Sequence, residues 1–143
     1  MSAHPVIAID GPAASGKSTV ARLLARRLGY VYVNTGAMYR AVTWLALRHG
    51  VASSDAGAVT ALVRETPITF GVRDAQSTIE MEGIDPAPFL NDPEVTANVS
   101  AISAIPEVRQ FLVERQREFG RDYPLVMEGR DIGTNVFPET DFK

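Results

Sequence analysis

The segment Gly11-Pro12-Ala13-Ala14-Ser15-Gly16-Lys17-Ser18-Thr19 constrains this chain more than any other stretch. It fits the pattern G-x-x-x-x-G-K-[ST], with the apolar run Val6-Ile7-Ala8-Ile9 before it and a helical pattern after it. A strand that turns through glycines into a helix presents backbone N–H groups and the positive end of the helix dipole to an anion. The segment is therefore a phosphate-binding turn, and nucleotide binding is the first expectation. Lys17 is a point charge that reaches the β- and γ-phosphates of a nucleoside triphosphate. The Ser18 hydroxyl is placed to coordinate Mg²⁺, and Thr19 supports the first helical turn. The fourteen basic residues comprise twelve arginines and only two lysines, Lys17 and Lys143, so a lysine in this loop stands out.

A chain of 143 residues with 45% apolar and 22% charged residues is long enough for one compact domain with a real core. Its net charge of −3 is spread over both signs without a basic block, which argues against a nucleic-acid or anionic-membrane surface. The absence of cysteine excludes disulfides and thiolate metal sites. Met1-Ser2-Ala3-His4-Pro5 lacks a basic leader, and the first apolar run stops at Asp10, so neither a signal peptide nor a membrane span is expected. A cytoplasmic location follows as an expectation.

Val20, Leu23, Leu24 and Leu28 recur at helical spacing after the loop, with Arg22, Arg26 and Arg27 opposite and Gly29 as a stop. Tyr30-Val31-Tyr32-Val33 reads as a buried strand, completing a parallel βαβ unit. Asn34-Thr35-Gly36 reads as a turn before a helix with Met38, Val42, Leu45 and Ala46 inward, and a helix from Asp55 to Glu65 is capped by Ser53 or Ser54. Residues 67–72 and 77–82 alternate like strands joined by Arg73-Asp74-Ala75-Gln76, a hairpin that reads as an insertion separate from the main sheet. Asp92 and Pro93 open a helix to about Ala104, and Pro106 opens another, ended by Gly120. Leu125-Val126-Met127 is a third main-sheet strand, running into Glu128-Gly129-Arg130-Asp131-Ile132-Gly133-Thr134. Charged residues at the carboxyl end of a parallel strand belong at a ligand crevice.

Asn34-Thr35-Gly36-Ala37-Met38-Tyr39-Arg40 and Glu128 to Thr134, together with the Gly-Pro opening of the loop, make the chain resemble bacterial cytidylate kinases over essentially all its length. The resemblance implies an α/β, P-loop NTPase three-layer fold, with a parallel sheet, helices on both faces and a small inserted antiparallel β subdomain. On this reading residues 1–143 are the N-terminal portion of a single kinase domain, with a CMP-enclosing insertion at about residues 66–92. The family's mobile lid and further strands are expected beyond Lys143.

The implied chemistry is transfer of the γ-phosphoryl group of ATP, with Mg²⁺, to CMP or dCMP. Residues 11–19 match the donor-binding loop. Thr35, Arg40 and Arg130 match positions around the acceptor phosphate, and Ser100, Arg109 and Asp131 match positions that read cytosine. Guanidinium forks suit phosphate bidentately, and a hydroxyl, an arginine and a carboxylate together can address the polar edge of a pyrimidine. Lys17, Arg130 and Asp131 are the expected catalytic set, and Ser18 the expected metal ligand. Glu128 is either a contact to Mg²⁺ through its shell or a holder of Arg40. The implied partners are small nucleotides, with neither nucleic acid nor membrane, and the complete protein is expected to be a monomer.

Arg22, Arg26, Arg27, Arg115 and Arg117 read as solvated helix faces, Trp44 and the methionines as packing, and His4 and His49 as lacking any partner at ligand spacing. Two competing functions remain open at this level. One is a catalytically silent nucleotide-binding fragment, and the other is a P-loop kinase with a different small acceptor.

Overall fold

Strand β1 (Val6–Asp10) alternates burial along its length, with Val6 and Ala8 inside, as a strand with two unlike faces must. Helix α1 (Lys17–Leu28) opens at Gly16, whose φ of 81° lies in the left-handed region that side-chain-bearing residues avoid. Gly29 ends it as the sequence predicts. The computed structural model describes residues 4–11 and 16–140, so Pro12, Ala13, Ala14 and Ser15 of the loop lie outside the described residues. Strand β2 (Val31–Asn34) passes directly into α2 (Thr35–Arg48). The expected turn at Asn34-Thr35-Gly36 is absent, because Thr35 and Gly36 already have helical backbone.

Helix α3 (Ala56–Glu65) is capped by Asp55, which accepts from the Ala58 N–H at 3.1 Å, in place of Ser53 or Ser54. Strands β3 (Ile68–Arg73) and β4 (Gln76–Met81) are joined by Asp74 and Ala75, with φ of 53° and 59°. Two consecutive left-handed residues are what a tight antiparallel hairpin requires. Helix α4 (Pro93–Ser103) follows a short 3₁₀ turn, and α5 (Pro106–Asp122) leads to β5 (Leu125–Gly129). Gly120 does not stop α5. It sits buried within the helix, where tertiary packing outweighs its low propensity.

The strands form one five-stranded sheet in the order β1-β5-β2-β4-β3. Val6 to Asp10 pair in parallel with Leu125 to Gly129, and Val31 to Asn34 with Leu125 to Glu128. β5 is thus flanked on both sides, and all five of its residues are buried. The hairpin is not separate from this sheet: β4 pairs in parallel with β2 through Tyr32 and Gln76. The architecture is an α/β fold with a mostly parallel sheet. Among the described residues no helix is long and apolar enough to cross a membrane.

Packing divides the chain into two units. The first comprises the described residues up to Gly36, Val72–Thr78 and those from Val113 onward. Its core includes Ala21, Ala25, Tyr32 and Val126, backed by Ile7, Ile9, Leu24 and Tyr30. The buried face of α1 therefore consists of Ala21 and Ala25, while Val20, Leu23 and Leu28 are about half exposed, contrary to the hydrophobicity pattern. Small residues let a helix backbone lie close to a sheet. The second unit comprises Ala37–Gly71 and Ile79–Leu112. Met38, Val42, Leu45, Val59, Met81, Ile102 and Leu112 fill its interior, and Trp44 stacks on Phe89 with ring centroids 5.9 Å apart.

Candidate functional site

The exits of β1, β2 and β5 lie side by side in the first unit, because parallel pairing brings their carboxyl ends to one edge. Glu128, only 1% exposed, is the penultimate residue of buried β5. Ser18, from the first turn of α1, donates its hydroxyl to both carboxylate oxygens of Glu128, at 2.8 and 2.9 Å. Tyr32, from β2, donates its phenol to Glu128 Oε1. A buried carboxylate is tolerated only when its lone pairs are taken up in this way.

The same contact alters Tyr32. Burial pushes its phenol up to about 12 from the usual 10, and the hydrogen bond and negative charge of Glu128 act in the same direction. The Arg22 guanidinium, 5.5 Å from the Tyr32 ring centroid, opposes the shift in part. Arg22 is thus not merely a solvated side chain.

Thr35 is buried and donates its hydroxyl to the Glu128 carbonyl at 2.9 Å. Gly129 follows, and a Cβ there would lie on top of Thr35 Oγ1 and 2.8 Å from Ile132 Cδ1, so the close approach of β5 to Thr35 requires glycine. The Gly11 N–H donates to the Gly129 carbonyl at 3.1 Å, tying the start of the phosphate loop to the exit of β5. Arg130 is exposed and Asp131 half-buried. A one-turn π-helix, Ile132–Val136, comes next, and Asn135 Nδ2 donates to Asp131 Oδ2 at 2.9 Å.

Arg40, Ser100 and Arg109 belong to the second unit, where α4 gathers them. Arg40 donates to the Leu90 carbonyl and to Thr96 Oγ1, both at 3.0 Å, and Arg109 donates to the Ser103 carbonyl at 3.4 Å. Thr96, Ser100 and Ser103 recur at helical spacing, so exposed Ser100 shares a stripe with the partners of both arginines. Within the first unit the Glu128 carboxylate is held by Ser18 and Tyr32.

One further reading of the sequence needs correction. Arg117 is not simply a solvated side chain, since it donates to the Val136 and Asn135 carbonyls at 3.1 and 2.8 Å. His49 Nε2 contacts Glu82 Oε1, with Arg48 3.6 Å from the other carboxylate oxygen, a surface contact and not a set of metal ligands. Sequence reasoning also missed Asp10 and Tyr32. Asp10 carried a usable signal, since it is a carboxylate at the end of a parallel strand, the criterion that singled out Glu128.

Chemically, this edge combines a glycine-capped helix start, a hydroxyl beside a buried carboxylate, and Arg130 and Asp131 just beyond that carboxylate on the same strand exit. That set suits a polyphosphate on one side and an anionic polar acceptor on the other. Comparisons with known proteins give the family. The cytidylate kinase family model matches residues 7–143. The chain is 51% identical over 143 residues to a bifunctional pantoate ligase/cytidylate kinase of Synechococcus sp. (strain JA-2-3B'a(2-13)), covering 98% of this chain and 26% of that protein. It is 47% identical over 138 residues to a cytidylate kinase of Streptococcus agalactiae, and 45% identical over 139 residues to one of Streptococcus mutans. Each of these two alignments covers 96% of this chain and 61% of the relative, so the chain spans less than two thirds of the curated relatives it matches. With a family model spanning nearly its whole length, the chain belongs to the cytidylate kinase family.

Proposed function

We propose that the chain forms the nucleotide-binding part of an enzyme that transfers the γ-phosphoryl group of ATP to CMP or dCMP. The observation that carries this reading is the joining of the phosphate-loop helix to the β5 exit through Ser18 and Glu128, with Arg130 and Asp131 immediately beyond. The relatives' names supply the acceptor class.

In this reading the loop amides and Lys17 hold the donor's β- and γ-phosphates. Arg40 and Arg130 grip the acceptor phosphate, with Thr35 as a neighbouring hydroxyl. Ser100, Arg109 and Asp131 address the cytosine edge. The segment of about residues 66–92 is read as part of the portion that encloses the pyrimidine. An acceptor phosphate oxygen attacks the γ-phosphorus, the bond to the bridging oxygen breaks, and ADP leaves with that electron pair. Because a phosphate oxygen is already nucleophilic, the side chains act by alignment and fixed positive charge.

The Ser18 hydroxyl and the Glu128 carboxylate form an all-oxygen donor set of the kind Mg²⁺ takes, so the residues fit that ion. Ser18 would hold it, with Glu128 beside it. When bound, Mg²⁺ neutralises charge on the donor phosphates. Glu128 keeps the Ser18 hydroxyl oriented by accepting its hydrogen bond.

A coupled assay for ADP release with a panel of acceptors tests the reading. CMP and dCMP should be turned over ahead of UMP, AMP and GMP. A preference for AMP would overturn the acceptor assignment, and nucleotide binding without turnover would favour a silent nucleotide-binding chain.

A further inference from the structure

We infer that Asp10 is a positioning residue that fixes the Arg130–Asp131 turn to the root of the phosphate loop, an inference that rests on the kinase reading above. Asp10 is the last residue of β1 and immediately precedes Gly11. One of its carboxylate oxygens accepts from the Ile132 N–H at 2.6 Å, and the other accepts from the Gly133 N–H at 2.9 Å. One residue on, the Gly11 N–H donates to the Gly129 carbonyl. The β5 exit is therefore held at residue 129 by the loop's first amide and at residues 132 and 133 by Asp10. Only Arg130 and Asp131 lie between the two anchors.

A segment of two residues between fixed ends has little conformational freedom, so the direction in which Arg130 and Asp131 leave the chain is set by β1. Charge-assisted bonds from two amides to one carboxylate are strong and directional. The far end of the turn is closed as well, by Arg117 on the Asn135 and Val136 carbonyls and by Asn135 on Asp131. The donor loop and the acceptor-side arginine thus share one mechanical support. Pre-positioning of Arg130 lowers the ordering entropy lost when an acceptor phosphate binds.

Asp10→Asn preserves shape but sets an amide N–H₂ against one of the two backbone N–H groups, opening half of the clamp. Two readouts are needed. The first is amide hydrogen exchange at Ile132 and Gly133, which should accelerate in the variant. The second is calorimetric titration of CMP into wild type, Asp10→Asn, Arg130→Ala and the double variant. Asp10→Asn should weaken CMP binding roughly tenfold, with no further loss in the Arg130→Ala background. Affinity for a non-hydrolysable ATP analogue should stay within about threefold of wild type, because the loop amides and Lys17 that hold the donor are untouched.

A purely structural role would give additive losses in the CMP cycle and would overturn the inference, as would unchanged exchange at Ile132 and Gly133. A wild-type chain that binds no CMP would instead overturn the functional reading, while the exchange result decides the clamp independently. Asp10→Ser, which keeps a single short acceptor, is read in the same cycle if Asp10→Asn fails to fold.

Discussion

The Ser18 hydroxyl bridges both carboxylate oxygens of Glu128, joining the first turn of the phosphate-loop helix to a strand 110 residues away in sequence. Glu128→Ala removes the shared acceptor and leaves the Ser18 and Tyr32 hydroxyls without it in a buried place. Loss of a charged hydrogen-bond partner at such a site costs about 2 to 4 kcal/mol. Urea unfolding of the two proteins measures this. A variant as stable as wild type would show that Glu128 is not the organising acceptor.

Tyr32 gives the protein a specific alkaline sensitivity. Its phenol is raised to about 12 in the folded state against 10 unfolded, so the folded state holds the proton more tightly. That stabilisation is complete below pH 10 and is lost as pH rises from about 10 to 12. Across the window it amounts to at most about 3 kcal/mol. Tyr32→Phe should lose roughly 1 kcal/mol at neutral pH and show a flatter stability profile above pH 10 than wild type. Denaturant midpoints at pH 8, 10 and 11 provide the comparison, and identical slopes would contradict the assignment.

Gly129→Ala adds a methyl group onto Thr35 Oγ1 and 2.8 Å from Ile132 Cδ1. β5 is buried on all sides, so the backbone has little room to yield. Overpacking of this kind costs about 1 to 3 kcal/mol, and it should also break the Thr35 bond to the Glu128 carbonyl. A melting temperature lowered by several degrees is expected. An unchanged one would mean that the strand exit relaxes freely.

The proposed division of roles separates three substitutions. Lys17→Ala should lower kcat by roughly 10²-fold or more with little change in acceptor KM, since it removes charge at the transferring group. Arg40→Ala and Arg130→Ala should chiefly raise the KM for CMP, by about tenfold or more. Arg40 also braces α4 through Thr96, so its variant needs a stability control. Equal acceptor KM in all three variants would refute the division.

The phosphate-loop strand and helix, the second strand and the β5 exit were legible in the sequence because each combines a glycine at a fixed offset with an apolar run of the right length. The buried face of α1 was not. Hydrophobicity selects Val20, Leu23 and Leu28, whereas the helix lies on the sheet through Ala21 and Ala25, where small size matters more than apolarity. Gly120 misled for the related reason that burial in α5 overrides local propensity. The attachment of the hairpin to β2 rests on one long-range pairing, Tyr32 with Gln76, which no local pattern encodes. The site was half legible. Glu128, Arg130 and Asp131 could be named from their place at the end of a buried strand, while the groups that hold Glu128 and the turn beyond it, Ser18, Tyr32, Asp10 and Arg117, come from four different elements.

The central claim is that the first turn of α1, carrying Ser18, and the β5 exit, carrying Glu128 and Arg130, serve a pyrimidine nucleoside monophosphate as phosphoryl acceptor. Calorimetric titration of CMP and AMP into the wild-type protein, each with a non-hydrolysable ATP analogue and Mg²⁺ present, tests it most directly. The account predicts one CMP bound per chain, with AMP weaker by about two orders of magnitude, a gap within reach of lost hydrogen bonds to the base edge. AMP binding as tightly as CMP, or CMP binding undiminished in Arg130→Ala, would contradict it.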